Sequence, residues 1–173
     1  MRTTTPVYQY SKADTLTLKY DYNVKERDKL HLKLNNNPKI SEDDIREIRD
    51  WKCNRILDIS PDVIQSLSDL AQKKGVTIDS EKGLITRLFA CIGVGIPVAS
   101  AILKFIRPDI FPIIDVRAYR VLYGITIRSD QYSVELYIEY AKRIKEIADE
   151  HNICLCKVDE QLYLLDKDKN IEI

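Results

Sequence analysis

Apolar residues recur at helical spacing almost throughout the chain after residue 40. The first predicted helix begins after Ser41, which is followed by three acidic residues, and is expected to run to about Leu57. One face of this helix carries a stripe formed by Ile45, Ile48, Lys52 and Ile56. A lysine within an apolar stripe is unexpected, because a buried ammonium group needs a partner or a pocket.

The same spacing, together with capping residues and prolines, predicts six further helices. The helix that follows Pro97 is apolar on nearly every side, which predicts a central position in the core. The six helices are expected at residues 61–74, 81–90, 97–107, 116–123, 133–151 and 159–165.

The first 40 residues do not show helical spacing. Only Leu16, Leu18 and Tyr20 alternate with polar residues, which favours an irregular or strand-like arm over residues 1–40. No internal repeat or linker divides the rest of the chain. We therefore expect an all-α fold in a single domain that spans residues 1–173.

Charge is balanced across the chain, with 27 basic and 27 acidic residues. This balance argues against a protein that holds DNA by bulk charge. The segment from Arg87 to Arg128 is nevertheless locally basic, because it contains six basic residues and only two acidic ones, Asp109 and Asp115. A nucleic-acid partner would therefore be expected to contact the middle of the chain.

Composition also excludes several classes of protein. No apolar run approaches the roughly 20 residues of a membrane helix, and no signal-peptide pattern opens the chain, so we expect no membrane partner and a cytoplasmic location. The four cysteines are too few and too poorly spaced for a disulfide scaffold or a zinc site. His31 and His151 lack a second ligand at metal spacing and are expected at the surface.

A turn with two glycines, Gly93-Val94-Gly95, precedes the predicted central helix. Such a turn presents consecutive backbone N–H groups at a helix N-terminus, where they can bind a phosphate without any side-chain charge. Glycine suits a backbone that visits positive φ and must approach a ligand closely. The same pattern is typical of a tight turn between packed helices, so the turn alone leaves both interpretations open.

The sequence LFACIGVGIPVASAIL at residues 88–103 resembles the hairpin of the HhH-GPD superfamily of DNA glycosylases. It is nearest in motif to adenine glycosylase and endonuclease III. In that family an apolar stretch, a proline-containing loop and an aspartate follow the hairpin. Here the loop is FPII at residues 111–114 and the aspartate is Asp115, eighteen positions after Pro97 as in the family. The resemblance covers residues 88–122 closely.

The resemblance implies a two-lobed helical fold and the excision of a base from double-stranded DNA. The target nucleotide would rotate out of the stack into a pocket between the lobes, and Asp115 would stabilise the positive charge that develops on the sugar. The nucleic-acid contacts implied by the resemblance come from Gly93, Val94, Gly95, Val98, Arg117 and Arg120. A structural monovalent cation would bind the main-chain carbonyls of Phe89, Cys91 and Val94.

The sequence departs from the family motif at several positions, and these departures limit the type of glycosylase activity that the resemblance implies. Bifunctional members place a lysine nucleophile two residues after the second glycine, where this chain has Pro97. The resemblance then implies a monofunctional enzyme, in which water attacks and an abasic site remains. Arg117 stands where many members have His or Asn. The four-cysteine spacing of the family's iron–sulfur cluster does not occur, so no cofactor is expected apart from the cation.

Trp51 and Lys52 form a second candidate site. Lys52 could pair with Asp115, touch DNA or serve as the amine that Pro97 displaces, or its stem could pack on apolar surface with its charge in water. Trp51 could stack on a flipped base or belong to the core. Asp115 itself has the position of a helix N-cap, a role compatible with catalysis.

Two other classes of function remain open from the sequence. The chain could be a helix-hairpin-helix module that binds DNA or RNA without catalysis, or a helical protein that binds a protein partner and merely shares the hairpin. The enzyme is expected to be a monomer. Loss of base release with retained binding after Asp115→Asn would separate the enzyme from the binding module.

Overall fold

The computed structural model describes residues 7–53 and 56–170. Within these ranges it contains α-helices and short 3-10 turns but no strand, which confirms the all-α prediction. The helices are α1 (Val24–Leu34), α2 (Glu42–Lys52), α3 (Pro61–Gln72), α4 (Lys82–Phe89), α5 (Ile96–Ile106), α6 (Val116–Tyr123), α7 (Val134–His151) and α8 (Leu155–Lys169).

Helix α5 lies at the centre of the fold, as its apolar sequence predicts. Ten of its eleven residues are buried, and it packs against α1, α2, α3 and α4. The helix begins at Ile96, because Pro97 has the fixed φ that suits a first turn. It ends at Ile106, two residues before Pro108.

Helices α6 and α7 pack against α8, and α7 also contacts α4. Arg120 on α6 forms a buried, two-pronged ion pair with Asp166 on α8, with nitrogen–oxygen distances of 2.9 and 2.7 Å. The same guanidinium donates to the Asn170 carbonyl at 3.1 Å. These contacts hold α6 firmly against the last helix, because paired guanidinium–carboxylate bonds fix orientation as well as distance.

The N-terminal arm differs from the prediction. Residues 7–21 are irregular and contain no strand, and α1 follows them where no helix was predicted. The helix begins after Asn23, which has left-handed backbone angles and no side-chain cap, so it lacks the usual sequence signal for a start. The arm is tied to α8 because the Leu18 N–H donates to the Gln161 side chain at 2.7 Å and the Leu18 carbonyl accepts from it at 2.8 Å.

Two of the predicted helices have wrong bounds. Helix α2 ends at Lys52, and Cys53 is already extended, so Ile56 does not continue the apolar stripe and is 85% exposed. Helix α8 is longer than expected, since it begins at Leu155 and continues to Lys169. A disulfide joins Cys154 and Cys156 at its start, a local bridge rather than the scaffold that the cysteine count argued against.

A buried ion pair joins the central helix to the last one. Lys104 of α5 and Asp159 of α8 have side chains that are 1% and 4% exposed, and Nζ lies 2.7 and 2.9 Å from the two carboxylate oxygens. The same carboxylate accepts the backbone N–H of Ile113 at 2.7 Å. One aspartate therefore connects α5, α8 and the loop that leads to Asp115.

We expect Asp159→Ala to lower the free energy of unfolding by about 3 kcal/mol, because it leaves the buried Lys104 ammonium with only the longer contact to Glu160 at 3.5 Å. Asp168→Ala is the matched control, since Asp168 lies on the exposed side of the same helix and, among the described residues, pairs with Lys169 alone. Urea denaturation measures both variants. Equal losses in the two variants would contradict the role assigned to the buried pair.

Candidate active site

A cavity of about 370 Å³ lies where the arm, α1, α2, α5, the start of α6 and α8 meet. This volume is within the range of about 300–1,000 Å³ that small-molecule sites occupy. Its lining combines aromatic rings with charged side chains: Tyr20, Tyr22, Arg27, His31, Trp51, Lys52, Lys104, Phe105, Ile113, Asp115, Val116, Arg117, Asp159, Glu160 and Tyr163. Four of the residues singled out from the sequence, Trp51, Lys52, Asp115 and Arg117, share this cavity.

Asp115 is held in place by a rigid loop and by the start of α6. Its Oδ1 accepts the N–H of Ala118 at 2.8 Å, so it is the helix N-cap. The preceding loop is buried, and the hydroxyl of Tyr140 donates to the Ile113 carbonyl at 3.0 Å. The N–H of Ile114 donates to the Ser100 hydroxyl at 3.2 Å. The cap and the buried loop together fix the position of the carboxylate at the edge of the cavity.

Two opposing influences act on the pKa of the Asp115 carboxyl. Burial raises the pKa of this carboxyl above its ordinary value, while the positive charge of Lys52 and the N–H of Ala118 act in the opposite direction. Lys52 is therefore the principal positive charge that counteracts the effect of burial on this pKa. The nearby hydroxyl of Tyr132 is also buried and has no hydrogen-bond partner among the described residues.

Lys52 lies at the C-terminal end of α2 and is half-buried in the cavity wall. Its charge acts on Asp115, as one interpretation of the sequence proposed. No carboxylate oxygen of a described residue, however, lies within 4.0 Å of the Lys52 Nζ. A free ammonium group in a partly apolar cavity can contact a ligand. Asn54 and Arg55, which follow in the sequence, lie outside the described residues.

An aromatic wall faces the charged side of the cavity. The Trp51 ring meets the Phe105 ring edge-on, with centroids 5.0 Å apart and an interplanar angle of 88°. His31 packs against the same Phe105 ring at 4.7 Å, and Tyr22 lies edge-on to Trp51 at 6.2 Å. Trp51 thus belongs both to the cavity wall and to the packing around the core.

His31 is not a surface residue, contrary to the expectation from sequence. Helix α1 places it in the cavity, where burial and the charges of Lys104 and Arg27 lower the pKa of the imidazole to about 4. His151 is also half-buried, and its ring is hydrogen-bonded to the Tyr10 hydroxyl at 2.7 Å. Neither contact could be predicted from local spacing, because in each case the partner is distant along the chain.

Charged residues of α1, α5 and α8 form the far side of the cavity. Lys104 reaches Asp159 and, at 3.5 Å, Glu160, whose carboxylate also accepts from Arg27 at 2.9 Å. Sequence reasoning missed this network. One signal was present, since Lys104 interrupts the most apolar helix of the chain, just as Lys52 interrupts the stripe on α2.

The hairpin is a tight turn in which Gly93 has a φ of +78° and Gly95 caps α5 with ordinary extended angles. A side chain at position 93 would meet the Ile56 carbonyl at 2.1 Å, so glycine is required there by packing as well as by φ. The N–H groups of Gly93, Gly95 and Ile96 have no acceptor among the described residues. These are the groups that can hold a phosphate.

Two hairpin residues expected to bind nucleic acid do not present free donors. The Val94 N–H donates to the Cys91 carbonyl at 3.1 Å, and the Val98 N–H donates to the Gly95 carbonyl at 3.0 Å. Both side chains are buried. Direct contacts by Val94 and Val98 with nucleic acid stay a prediction, and the structure shows that both N–H groups already bond within the turn and that both side chains lie in the core.

The carbonyls named for a monovalent cation differ in their availability. The Cys91 oxygen already accepts one hydrogen bond, whereas the oxygens of Phe89 and Val94 accept none from the described residues. Free carbonyl oxygens suit a hard cation, so the donor set fits the expectation. Where bound, such an ion would supply positive charge beside a phosphate.

The two arginines near Asp115 have different environments. Arg120 is 5% exposed and bound by Asp166, so its guanidinium has a structural role, and its expected contact with DNA stays a prediction. Arg117 lies in the cavity wall, where it is 3.3 Å from Asp166 and packs over the Tyr163 ring at 5.9 Å. Arg117 alone of this pair remains open to a ligand.

Comparison with family models, with curated proteins and with solved structures finds no match for this chain. Within residues 7–53 and 56–170, no helix is both long and apolar enough to cross a bilayer. The same residues contain no cluster of His, Cys, Asp or Glu that could hold a metal ion. Functional inference therefore depends on the geometry of the cavity and on the hairpin motif.

The lowered pKa of His31 predicts a pH effect on stability. In the unfolded chain His31 is protonated near pH 6.5, but in the folded chain only near pH 4. The contribution of His31 to the free energy of unfolding is therefore fully present above pH 6.5 and is lost as the pH falls from 6.5 to 4. The positive charges of Lys104 and Arg27 disfavour protonation of His31, whereas the negative charges of Asp159 and Asp28 favour it. We expect His31→Gln to flatten this decline in pH-dependent thermal melts.

The chain offers a matched control, because it has only two histidines. His151→Gln removes an imidazole that contacts Tyr10 but leaves the cavity unchanged. This control variant should keep the wild-type decline of stability below pH 6.5. Identical pH dependence in the His31 variant and in the wild type would show that the cavity does not exclude the proton.

Proposed function

We propose that the chain is a monofunctional DNA glycosylase that hydrolyses the N-glycosidic bond of a flipped damaged or modified base and leaves an abasic site. One observation carries the proposal: Asp115, in register with the hairpin motif, lies in a cavity of ligand size with an aromatic wall. The two-lobed HhH-GPD arrangement and double-stranded DNA as partner belong to the same proposal.

Backbone N–H groups of the hairpin hold the phosphate backbone beside the lesion. Gly93, Gly95 and Ile96 supply these donors, and the exposed part of Arg117 adds a positive charge near the cavity. With no net charge on the protein, affinity depends on these few local contacts. Binding should therefore weaken with salt, but less steeply than for a protein with an extended basic surface.

The flipped base enters the cavity and packs against the aromatic wall of Trp51 and Phe105. As the bond to the sugar breaks, positive charge develops on the sugar ring, and the Asp115 carboxylate stabilises that charge more than the ground state. The N-cap bond and the buried loop fix the carboxylate before reaction, so little reorganisation is needed. Water completes the hydrolysis.

Lys52 supports this role of Asp115. Its positive charge offsets the effect of burial and keeps more of the carboxylate ionised. This assignment explains why a lysine occupies an apolar stripe on α2, at the edge of a cavity that holds a carboxylate. In the monofunctional proposal the amine forms no bond to the sugar.

We expect Asp115→Asn to reduce base release by at least about 100-fold, because the carboxylate charge is lost, while binding to lesion DNA persists. Asparagine can still cap α6, so the fold is retained. The assay incubates duplexes that each carry one altered base and reveals abasic sites with alkali. Asp130→Asn, an exposed aspartate distant in sequence from the cavity lining, is the control.

The same assay separates the alternatives. Release that persists in the Asp115→Asn variant would refute the mechanism. Wild-type protein that binds duplexes but releases no base from any member of the panel would support the non-catalytic binding module instead. Absence of binding to DNA and RNA would favour the helical protein with a protein partner.

We expect Lys52→Gln to slow base release by about 10-fold and to move the acidic limb of the pH–rate profile to higher pH. Removal of the Lys52 charge raises the pKa of Asp115 further, so the carboxyl ionises only at higher pH. Lys145→Gln, on the exposed face of α7, is the control. An unshifted acidic limb would contradict the electrostatic role of Lys52.

Borohydride provides an independent check on the absence of a covalent intermediate. A monofunctional enzyme forms no imine with the sugar, so no covalent adduct should be trapped. An adduct that forms with the wild type and disappears in the Lys52→Gln variant would overturn the monofunctional assignment. Such a result would make the Lys52 amine the nucleophile.

A further inference from the structure

The carboxylates on the α8 side of the cavity already have hydrogen-bond donors from the protein itself. Both oxygens of Asp159 accept from Lys104, and one of them also accepts the N–H of Ile113. The two oxygens of Glu160 face Lys104 at 3.5 Å and Arg27 at 2.9 Å. A ligand therefore finds few unused acceptors on this side of the cavity.

Lys52 is the exception among the charged side chains that line the cavity. An ammonium group has three N–H donors and no acceptor. Lys52 nevertheless makes no hydrogen bond or ion pair with a described residue, although Asp115 lines the same cavity. A charged donor in a half-buried position is stabilised by an acceptor that reaches it. The donor that the cavity offers to a ligand is therefore Lys52.

The remaining polar groups of the lining do not favour one class of base. Arg117 is bound to Asp166 at 3.3 Å, so its charge is paired. His31 has no hydrogen-bond partner among the described residues, but burial keeps its imidazole neutral, and a neutral imidazole both donates and accepts. The tyrosine hydroxyls of the lining likewise both donate and accept. Discrimination between bases therefore depends on Lys52.

An ammonium group distinguishes a carbonyl oxygen from an amino group on the edge of a base. Cytosine and adenine carry an amino group, a donor, at the position where uracil and hypoxanthine carry a carbonyl oxygen, an acceptor. The carbonyl oxygen can accept from Lys52, whereas an amino group would leave two donors facing each other without an acceptor. Hydrolytic deamination converts each of these amino bases into the corresponding keto base.

The same contact would act during bond cleavage. The bond between the sugar C1′ and the base nitrogen breaks with both electrons going to the base, water adds to C1′ and releases a proton, and the base takes up one proton. In a keto base the negative charge spreads onto the carbonyl oxygen, where an ammonium stabilises it. Ionised Asp115 and Lys52, which do not pair within 4.0 Å, then match the opposite charges of the transition state.

We propose that the cavity binds keto bases, the products of hydrolytic deamination, in preference to amino bases, and that Lys52 donates to the keto oxygen. The inference rests on the proposed function for its DNA substrate, whereas the ligand chemistry depends on the cavity alone. Thymine and guanine also carry keto groups, so the duplex adds a second criterion. A deaminated base stands opposite a partner with which it mispairs, and a mispaired base is the least costly to flip.

The single tryptophan of the chain provides a readout that requires neither DNA nor catalysis. Trp51 lies in the cavity wall, so a base that enters should quench its fluorescence. The probes are two pairs of nucleosides that differ in an amino or a keto group: cytidine with uridine, and adenosine with inosine. We expect the keto member of each pair to bind about 10-fold more tightly than the amino member.

Substitution of Lys52 tests whether this residue causes the preference. Lys52→Met keeps an apolar stem but removes the donor, and should reduce the ratio of keto to amino affinity from about 10 to about 1. Lys52→Arg keeps the charge and the donors and should retain the preference. Lys145→Met, on the exposed face of α7, is the control. A Lys52 that acts only on Asp115 or on packing would change both affinities of a pair alike and leave their ratio unaltered.

Duplexes extend the test to DNA. We expect the wild type to release uracil opposite guanine and hypoxanthine opposite thymine, but to release no base from the matched duplexes with cytosine or adenine at the same position. Lys52→Met should slow both releases.

Equal or tighter binding of cytidine and adenosine would overturn the proposal, as would a keto preference that persists in the Lys52→Met variant. Absence of quenching by every nucleoside at millimolar concentration would overturn it as well. The outcome is separable from that of the proposed function. Keto-selective nucleoside binding by a protein that releases no base from any duplex would support this inference and refute the glycosylase. Base release without any keto preference would do the reverse.

Discussion

The buried pair of Lys104 and Asp159 is the interaction on which the rest of the structure depends. It places a charge in the most apolar helix of the chain, and among the described residues the ion-pair partners of that charge, Asp159 and the more distant Glu160, both belong to the last helix. The same carboxylate holds the Ile113 N–H, two residues before Asp115. Because unpaired charges are strongly unfavourable in a core, the position of Asp115 is coupled to the docking of α8 on α5.

Much of the helical framework could be predicted from sequence, because its signals are local. A capping serine marks the start of α2, and prolines in the first turn mark the starts of α3 and α5. Helix α6 has the predicted bounds, Val116–Tyr123. Helix α1 was missed because Asn23 gives no side-chain cap and only four of the eleven residues of the helix are apolar, of which Leu32 is 87% exposed. Without α1, His31 could not be placed in the cavity.

The candidate site was predictable only on α2 and on the segment from the hairpin to α6. Register with the hairpin identified Asp115, and a charge in an apolar stripe identified Lys52. The opposite wall comes from the arm, α1 and α8, and no spacing rule reports which of their side chains converge. For the same reason the motif gave the positions of Val94, Val98 and Arg120 along the chain but not the internal hydrogen bonds that they form.

The cavity takes its walls from Tyr20 near one end of the described chain to Tyr163 near the other, and this has a consequence during translation. A ribosome adds about 5–20 residues per second and releases the N-terminal part first. Until α8 emerges, the hairpin and Asp115 exist in the nascent chain, but Lys104 has no counter-ion and the cavity lacks one side. A prematurely terminated chain would therefore carry the whole motif and still have no enclosed site in which to hold a base.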